Sequence, residues 1–413
     1  MFIISHPTGN TFSRSLLKEL EDEDLDFLFF TTLSVDEKSR LLSFLPSFVR
    51  AEILRRNFSI TPHHIRTRPF REIIRLIAPK LGAHFLIKHE TGFACIDAVY
   101  QDLDQNISEY LSQDTKVGSI QAVYCYEDGA LQTFKTARQK GITCFYDLPI
   151  AYWETSLKLL QEEAARYPQW ESTLIGTRNS SAKLERKTQE LQLANYVICP
   201  SKFVRDSLPQ NIVDSKKILV SEFGSPQLNL SQHDFQYLNK GVPLRVLFVG
   251  SMTQRKGLAD IFAAFRLLKR YDIELLVLGS PVVSMKFYKE EFPNFQYFSP
   301  RPHSEVLKLM RTCDVFLFPS IVEGRALVQQ EAMISGLPLI TTYNAGADDL
   351  VEDGVTGFLV PIRSPESIAE KLTWFADNRD KIPKMSYAAF NKAKALTWEK
   401  YSKKIVSLVL SAM

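Results

Sequence analysis

The C-terminal half of this chain alternates short, almost unbroken apolar runs with amphipathic stretches, and that alternation leaves few folds open. The runs are Arg245–Val249, Ile273–Leu278, Phe295–Phe298, Asp314–Phe318, Pro338–Thr342 and Gly357–Val360. Between them lie segments of helical period such as Leu258–Leu268 and Ser304–Met310. A strand that is apolar on both sides must be covered on both sides, and strands separated by helices pair in parallel. The N-terminal half repeats the pattern more loosely, with strand candidates Phe2–Ser5, Asp26–Thr31, Ala122–Cys125, Thr143–Tyr146 and Tyr196–Cys199. The prediction is an α/β chain with one parallel sheet in each half. A polar, aperiodic stretch from Gly224 to Gly241 reads as the connection between them. The expected boundaries are an N-terminal domain over 1–223, a linker over 224–243 and a C-terminal domain over 244–395. A final helix over 396–413 could lie back on either domain, the N-terminal one being the candidate.

Composition narrows the function classes. With 413 residues the chain is long enough for two or three domains. A formal net charge of +3 offers no global attraction for nucleic acid. Cys95, Cys125, Cys144, Cys199 and Cys313 are odd in number, scattered and without a C-x-x-C, which predicts reduced thiols and no zinc site. Met1–Asn10 has no basic segment ahead of its apolar run, so it reads as a first strand rather than a signal peptide. No apolar run reaches the roughly 18 residues that a spanning helix needs. The expectation is a cytoplasmic protein, peripheral at the inner face of a membrane if it touches one.

Polar residues that follow the strands are the candidates for chemistry, because ligands of open parallel sheets bind beyond the strands' carboxyl ends. After the strand ending at Phe318, Glu323 stands in the loop and Glu331 eight residues on, in a helix that closes at Gly336 and Pro338. Ionised carboxylates are natural acceptors for paired sugar or ribose hydroxyls. Two glutamates at this spacing usually mark only a wet helix face; the glycine at 324 and the strand context favour a site. Val246-Leu-Phe-Val-Gly-Ser-Met-Thr-Gln-Arg-Lys-Gly257 is a strand, a glycine turn at Gly250 and two cations ahead of a helix. Arg255, Lys256 and the helix N-terminus suit a diphosphate; the plain alternative is a solvated basic turn.

In the N-terminal half, Gly9 lies in a turn after the first strand, where a glycine lets backbone approach a ligand. Glu127, Asp128 and Asp147 also follow strands, either facing the same crevice or capping helices. His89-Glu-Thr-Gly92 has the look of a functional loop with no metal-ligand spacing, and no metal site is expected. Asp102-Leu-Asp104 reads as an exposed helical face. Residues 50–80 carry Arg50, Arg55, Arg56, Arg66, Arg68, Arg71, Arg75 and Lys80 against Glu52 and Glu72, with Ile, Leu and Phe interleaved. That segment is a candidate for weak contact with anionic lipid, or the surface of ordinary helices.

Taken together, these residues resemble the retaining glycosyltransferases of family 4, whose GT-B architecture has two facing Rossmann-like domains with parallel sheets and a cleft between them. The resemblance runs through residues 196–377. It is carried by Ala-Asn-Tyr-Val-Ile-Cys-Pro-Ser201, Val-Leu-Phe-Val-Gly250, Arg-Lys-Gly257, Pro-Ser320, Glu323 to Glu331, and Asp353-Gly-Val-Thr-Gly-Phe-Leu-Val360. It implies that Glu331 holds the ribose hydroxyls of a nucleotide sugar and Glu323 its hexose. Lys256 and Arg255 would neutralise the leaving diphosphate, helped by backbone N–H groups of Arg325, Ala326, Leu327 and Val328, with no metal or other cofactor. Gly9 and Gly250 would lie against the donor, Asp147 in the catalytic centre, and Glu127, Asp128 and His89 on the side of a glycan, lipid-linked or small-molecule acceptor. Polysaccharide or cell-envelope glycan assembly is the setting it implies.

Three positions depart from the family's pattern. Glu323-Gly-Arg-Ala326 replaces Glu-Gly-Phe-Gly, so Arg325 either contacts the donor or crowds it. Ser251 and Met252 stand where an arginine is usual, and Asp147 ends a strand where many members have histidine. A sugar-nucleotide epimerase of the same fold and a non-catalytic nucleotide-sugar binder therefore stay open as alternatives. A dinucleotide oxidoreductase is disfavoured, since no G-x-G-x-x-G follows a strand.

Overall fold

A computed structural model describes residues 1–35, 54, 56–113, 120–228 and 243–412. Arg50, Arg55 and Glu52 of the basic segment, and most of the linker, lie outside the described residues. The N-terminal sheet has seven strands: β1 (Phe2–Ser5), β2 (Phe27–Thr31), β3 (Ile65–Thr67), β4 (Ala122–Tyr126), β5 (Thr143–Asp147), β6 (Tyr196–Cys199) and β7 (Lys217–Val220). Their order is β3-β2-β1-β4-β5-β6-β7. The C-terminal sheet has six: β8 (Leu244–Val249), β9 (Ile273–Leu278), β10 (Phe295–Phe298), β11 (Val315–Phe318), β12 (Leu339–Thr341) and β13 (Gly357–Leu359), ordered β10-β9-β8-β11-β12-β13. Every pairing among these strands is parallel. These are two Rossmann-like domains, and strand order reverses beside β1 in one and beside β8 in the other.

The central strands are buried on both faces, as their unbroken apolar sequence requires. β3 and β7 escape the sequence reading for the same reason in reverse. Both are short edge strands, and Arg66, Thr67 and Lys217 are exposed, so neither carries a full apolar signature.

Helix Leu131–Gln139 shows how distant side chains complete local structure. It has no side-chain cap of its own. Asp104 accepts from the N–H groups of Gln132 and Thr133 at 2.7 and 2.8 Å, supplying from another helix the partners that these N–H groups lack. The expected exposed face at Asp102-Leu-Asp104 is thus half wrong: Asp102 pairs with Arg68 at 3.3 Å, while Asp104 is buried as a remote cap.

Three structures tie the domains together. Residues Phe223 and Ser225 leave the first domain by accepting from the Gln330 amide at 2.7 and 3.1 Å. The last helix, Trp398–Ala412, packs on helix Thr11–Asp22, adding Tyr401, Ile405, Val406 and Val409 to the core around Leu16, Leu17 and Leu20. The third tie is a strap after β5, made of helix Trp153–Arg166 and the short turns Pro168–Thr173 and Ile175–Arg178.

Although it follows an N-terminal strand, the strap inserts Trp170 into the C-terminal core. The indole is fully buried, with ring centroids 5.9 Å from Phe262, 5.0 Å from Phe287 and 5.7 Å from Tyr288. Its Nε1 donates to Glu291 at 3.2 Å, so the polar end of the ring is satisfied. Beside it, Gln254 donates to Glu163 at 2.6 Å and Asp260 at 2.9 Å, while Arg166 pairs with Asp260 at 2.7 Å. Emptying the indole pocket loses both transfer free energy and packing. Trp170→Ala should lower stability by about 3–5 kcal/mol, read by urea unfolding. A loss within ±0.5 kcal/mol, the range of ordinary surface changes, would mean the strap is not an anchor.

Candidate functional site

The site begins with two neighbouring strands. Because β8 pairs with β11, the loops at their carboxyl ends lie side by side. After β8 the chain passes Gly250, makes a single turn at Gln254–Lys256 and enters helix Leu258–Leu267 through Gly257. Gly257 has φ +76°, and a Cβ there would sit 2.1 Å from the Pro319 carbonyl oxygen. Only glycine lets these two loops meet so closely. They are stitched by Ile321 N–H to Arg255 O at 2.9 Å, Ser320 Oγ to the same oxygen at 2.9 Å, and Arg255 Nη1 to Val322 O at 2.8 Å.

That stitching brings three predicted residues together. Glu323 Oε1 is 2.6 Å from Arg255 Nη1 and 2.5 Å from Lys256 Nζ. Burial lowers the Lys256 pKa, Glu323 opposes the shift, and Arg255 adds to it. Lys256 also lies over the Phe318 ring at 4.9 Å. A largely covered carboxylate bridged to two cations is a charge cluster that an incoming diphosphate can compete for.

Glu323 is held from behind as well. Its N–H donates to Asn344 O at 3.1 Å, and the Asn344 amide donates to Ile321 O at 2.9 Å. Arg325 corrects the expectation of a donor contact. Its guanidinium is fully buried, donating to Asp349 at 2.5 and 2.9 Å and to Gln330 at 3.0 Å. It braces the loop from inside. The Ala326 N–H is likewise taken, by Ala345 O at 3.4 Å. Leu327 and Val328 open helix Leu327–Ile334, with Leu327 packed against the N-terminal core. Glu331, one turn on, lies 3.1 Å from His303 Nε2, a partner the sequence reading did not name.

The opposite wall comes from the N-terminal domain. A Cβ on Gly324 would fall 1.7 Å from the Pro149 carbonyl oxygen, and Ser201 Oγ donates to Gly324 O at 2.6 Å. The loop after β5 therefore sits directly on the loop that carries Glu323. Asp147 ends β5 and is buried; desolvation pushes its pKa up to about 7, Tyr124 works against the shift and Glu127 adds to it.

Glu127 and Asp128 do not stand free toward an acceptor, contrary to expectation. Lys187 Nζ lies 2.9 Å from Glu127 and 3.3 Å from Asp128, and Arg186 pairs with both Asp128 and Asp97 at 3.0 Å. Neither caps a helix with its side chain. Buried Glu190 instead accepts from the Asp128 and Ala130 N–H groups at 2.9 and 3.1 Å, and burial pushes its pKa up to about 8. His89 is exposed and sits 3.3 Å from Glu90, not beside Glu127 or Asp128.

Gly9 has φ +64°, and a Cβ there would lie 2.3 Å from the Phe58 ring. Its N–H donates to His6 Nδ1 at 2.8 Å. His6 is buried and neutral, its pKa pushed down to about 3 by desolvation with Arg14 adding. This histidine is not singled out from the sequence. Its signal was local: an imidazole three residues before a glycine turn that it can tie down.

Residues 231–392 match the family model of Glycosyl transferases group 1. The putative colanic acid biosynthesis glycosyltransferase WcaL of Salmonella typhimurium is 29% identical over 39% of this chain and 42% of its own length. The chain spans about half the length of the curated relatives it matches. Among solved structures, sucrose-phosphate synthase of Thermosynechococcus elongatus aligns with a TM-score of 0.65 at 16% identity over 99% of this chain and 98% of that one. Anabaena HepE in complex with UDP and glucose aligns with a TM-score of 0.62 at 15% identity over 99% of each chain. The solved structures show the GT-B fold, and the match to glycosyl transferases of group 1 lies in the C-terminal part of the chain.

Asp147 has a signature that can be measured. Its pKa rises from 3.8 to about 7 on folding, so between those values the folded state binds the proton that the unfolded state has released. Its contribution to stability is fullest below 3.8 and is lost as pH climbs through about 7. Asp147→Asn should therefore gain melting temperature relative to the parent at pH 8 compared with pH 4. An offset that is equal at both values would show that folding does not shift the Asp147 carboxyl.

Proposed function

We propose that this protein is a retaining, metal-independent glycosyltransferase of family 4. It moves a hexose-type sugar from a nucleotide-diphosphate sugar to a hydroxyl of a glycan, lipid-linked or small-molecule acceptor. The setting is cytoplasmic polysaccharide or cell-envelope glycan assembly. One observation carries this reading: Glu323 bridges Arg255 and Lys256 at the carboxyl ends of adjacent strands, under the loop that follows Asp147.

The chemistry follows from charge. An entering diphosphate takes over the two cations and releases Glu323 to accept hydrogen bonds from hexose hydroxyls. Glu331 and the first turn of its helix take the ribose and phosphate ends. As the anomeric C–O bond breaks, negative charge grows on the diphosphate, where Lys256 and Arg255 are already placed to stabilise it. The acceptor hydroxyl attacks the same face, and its proton passes to the departing phosphate oxygen. No carboxylate needs to become a covalent nucleophile, and the cations do the work that a metal does elsewhere. The complex of HepE with UDP and glucose supports the ligand class. Relatives in polysaccharide biosynthesis support the setting. Arg325, one motive for a non-catalytic reading, is turned into Asp349 rather than toward a ligand.

A thermal-shift panel of nucleoside diphosphates and their sugars should single out one donor, with about 2.7 kcal/mol of stabilisation at one hundred times its dissociation constant. With that donor, Glu323→Gln and Lys256→Ala should each cut turnover by roughly 10²–10³, as for loss of one charge-stabilising group, with unchanged circular dichroism and unchanged activity in EDTA. Near-parental turnover in both variants removes the site. Conversion of the donor without an acceptor, seen by NMR, favours an epimerase.

A further inference from the structure

Exposed apolar side chains are unevenly spread. Seven of the fourteen large hydrophobic side chains that stand in solvent among the described residues fall between Phe70 and Ile96, while the others are scattered, so this stretch forms a patch. Phe70, Ile73 and Ile77 lie on one face of helix Phe70–Ile77. Leu81 (76% exposed) and Phe85 (73%) follow in the two short turns packed beside it. Phe93 meets Phe70 edge-on at 6.2 Å, which joins the ends of the stretch.

The charges around this patch are sorted. Arg66, Arg68, Lys80 and Lys88 are exposed beside it. Arg71 lies over the Phe93 ring at 4.3 Å. The two acids of the stretch point inward. Glu72 is fully buried, 2.7 Å from Arg56 and 2.6 Å from Arg75. Glu90 is largely covered and accepts from the Ser180 N–H at 3.0 Å. Asp102 takes up part of the charge of Arg68 and Arg71, at 3.3 and 3.8 Å. The patch thus presents phenylalanine, leucine and isoleucine within a rim of cations, with both of its own carboxylates withdrawn.

We propose that this face, centred on helix Phe70–Ile77 and the turns bearing Leu81 and Phe85, docks on an anionic phospholipid bilayer. The apolar side chains enter the boundary between headgroups and acyl chains, and the arginines and lysines reach the lipid phosphates along their aliphatic stems. A polar rim around an apolar centre also describes a protein interface; what selects an anionic lipid surface is that the exposed rim charges are all cations, with Glu72 and Glu90 both engaged elsewhere. Docking would hold the N-terminal domain at the lipid surface and favour a lipid-linked acceptor. That consequence rests on the proposed transfer reaction; the docking does not.

The test is sedimentation of the full chain with vesicles of phosphatidylcholine alone and of phosphatidylcholine mixed with phosphatidylglycerol. Binding should be roughly tenfold stronger to the mixed vesicles at low salt and should weaken as salt rises. The double variant Leu81→Asp, Phe85→Asp should lose it while keeping the parental melting temperature and the parental thermal shift with the donor, since both side chains stand in solvent. No binding to the mixed vesicles, or equal binding by the double variant, overturns the proposal. So does a parental dimer that the double variant converts to monomer without any vesicle binding, which assigns the patch to a second copy. Loss of vesicle binding with donor affinity intact separates failure here from failure of the donor site.

Discussion

A parallel sheet covered on both faces has only its strand ends left for polar work, and this constraint shapes both domains. Where strand order reverses, two loops leave adjacent strands toward the same space. β8 and β11 do this in the C-terminal domain, and β1 and β4 in the N-terminal one. Glu323, Arg255 and Lys256 meet because their loops start from paired strands, and Gly257 lets one loop press against the carbonyl of Pro319. Moving any of these groups onto a helix face would leave them as solvated charges worth little.

The two lobes are less independent than their separate sheets suggest. The strap after β5 is continuous with the first domain, yet its Trp170 is part of the second domain's core. Gln254, immediately before the two cations, is tied to Glu163 of the same strap. The positions of Arg255 and Lys256 are therefore set partly by a residue nearly a hundred positions earlier. The last helix returns the favour by packing Tyr401 into the first domain beside Tyr124 and Asp147. Such cross-ties couple the domain arrangement to the geometry of the site.

Buried charge is handled in two ways. Around Asp97, Glu127 and Asp128, three cations of one helix, Lys183, Arg186 and Lys187, neutralise the acids. Among the described residues Glu190 and Asp147 make no salt bridge, and burial raises both carboxyls toward neutrality. A buried carboxyl near its titration point differs in charge state from an ion-paired one, although both read as "acid after a strand" in the chain.

The sequence by itself determined the alternation of apolar strands and helices, hence two parallel sheets, and the ordered residues from Gly250 to Glu331 that carry the family resemblance. These are local patterns, set by side-chain period and by which residues follow each strand. Only the tertiary structure decided which acids are spoken for. Arg325 turns inward because Asp349 and Gln330 await it, Asp104 caps a helix it does not belong to, and Trp170 crosses between lobes. β3 and β7 stayed hidden because edge strands need no full apolar signature. Partner choice among distant residues depends on three-dimensional proximity, which has no period along the chain.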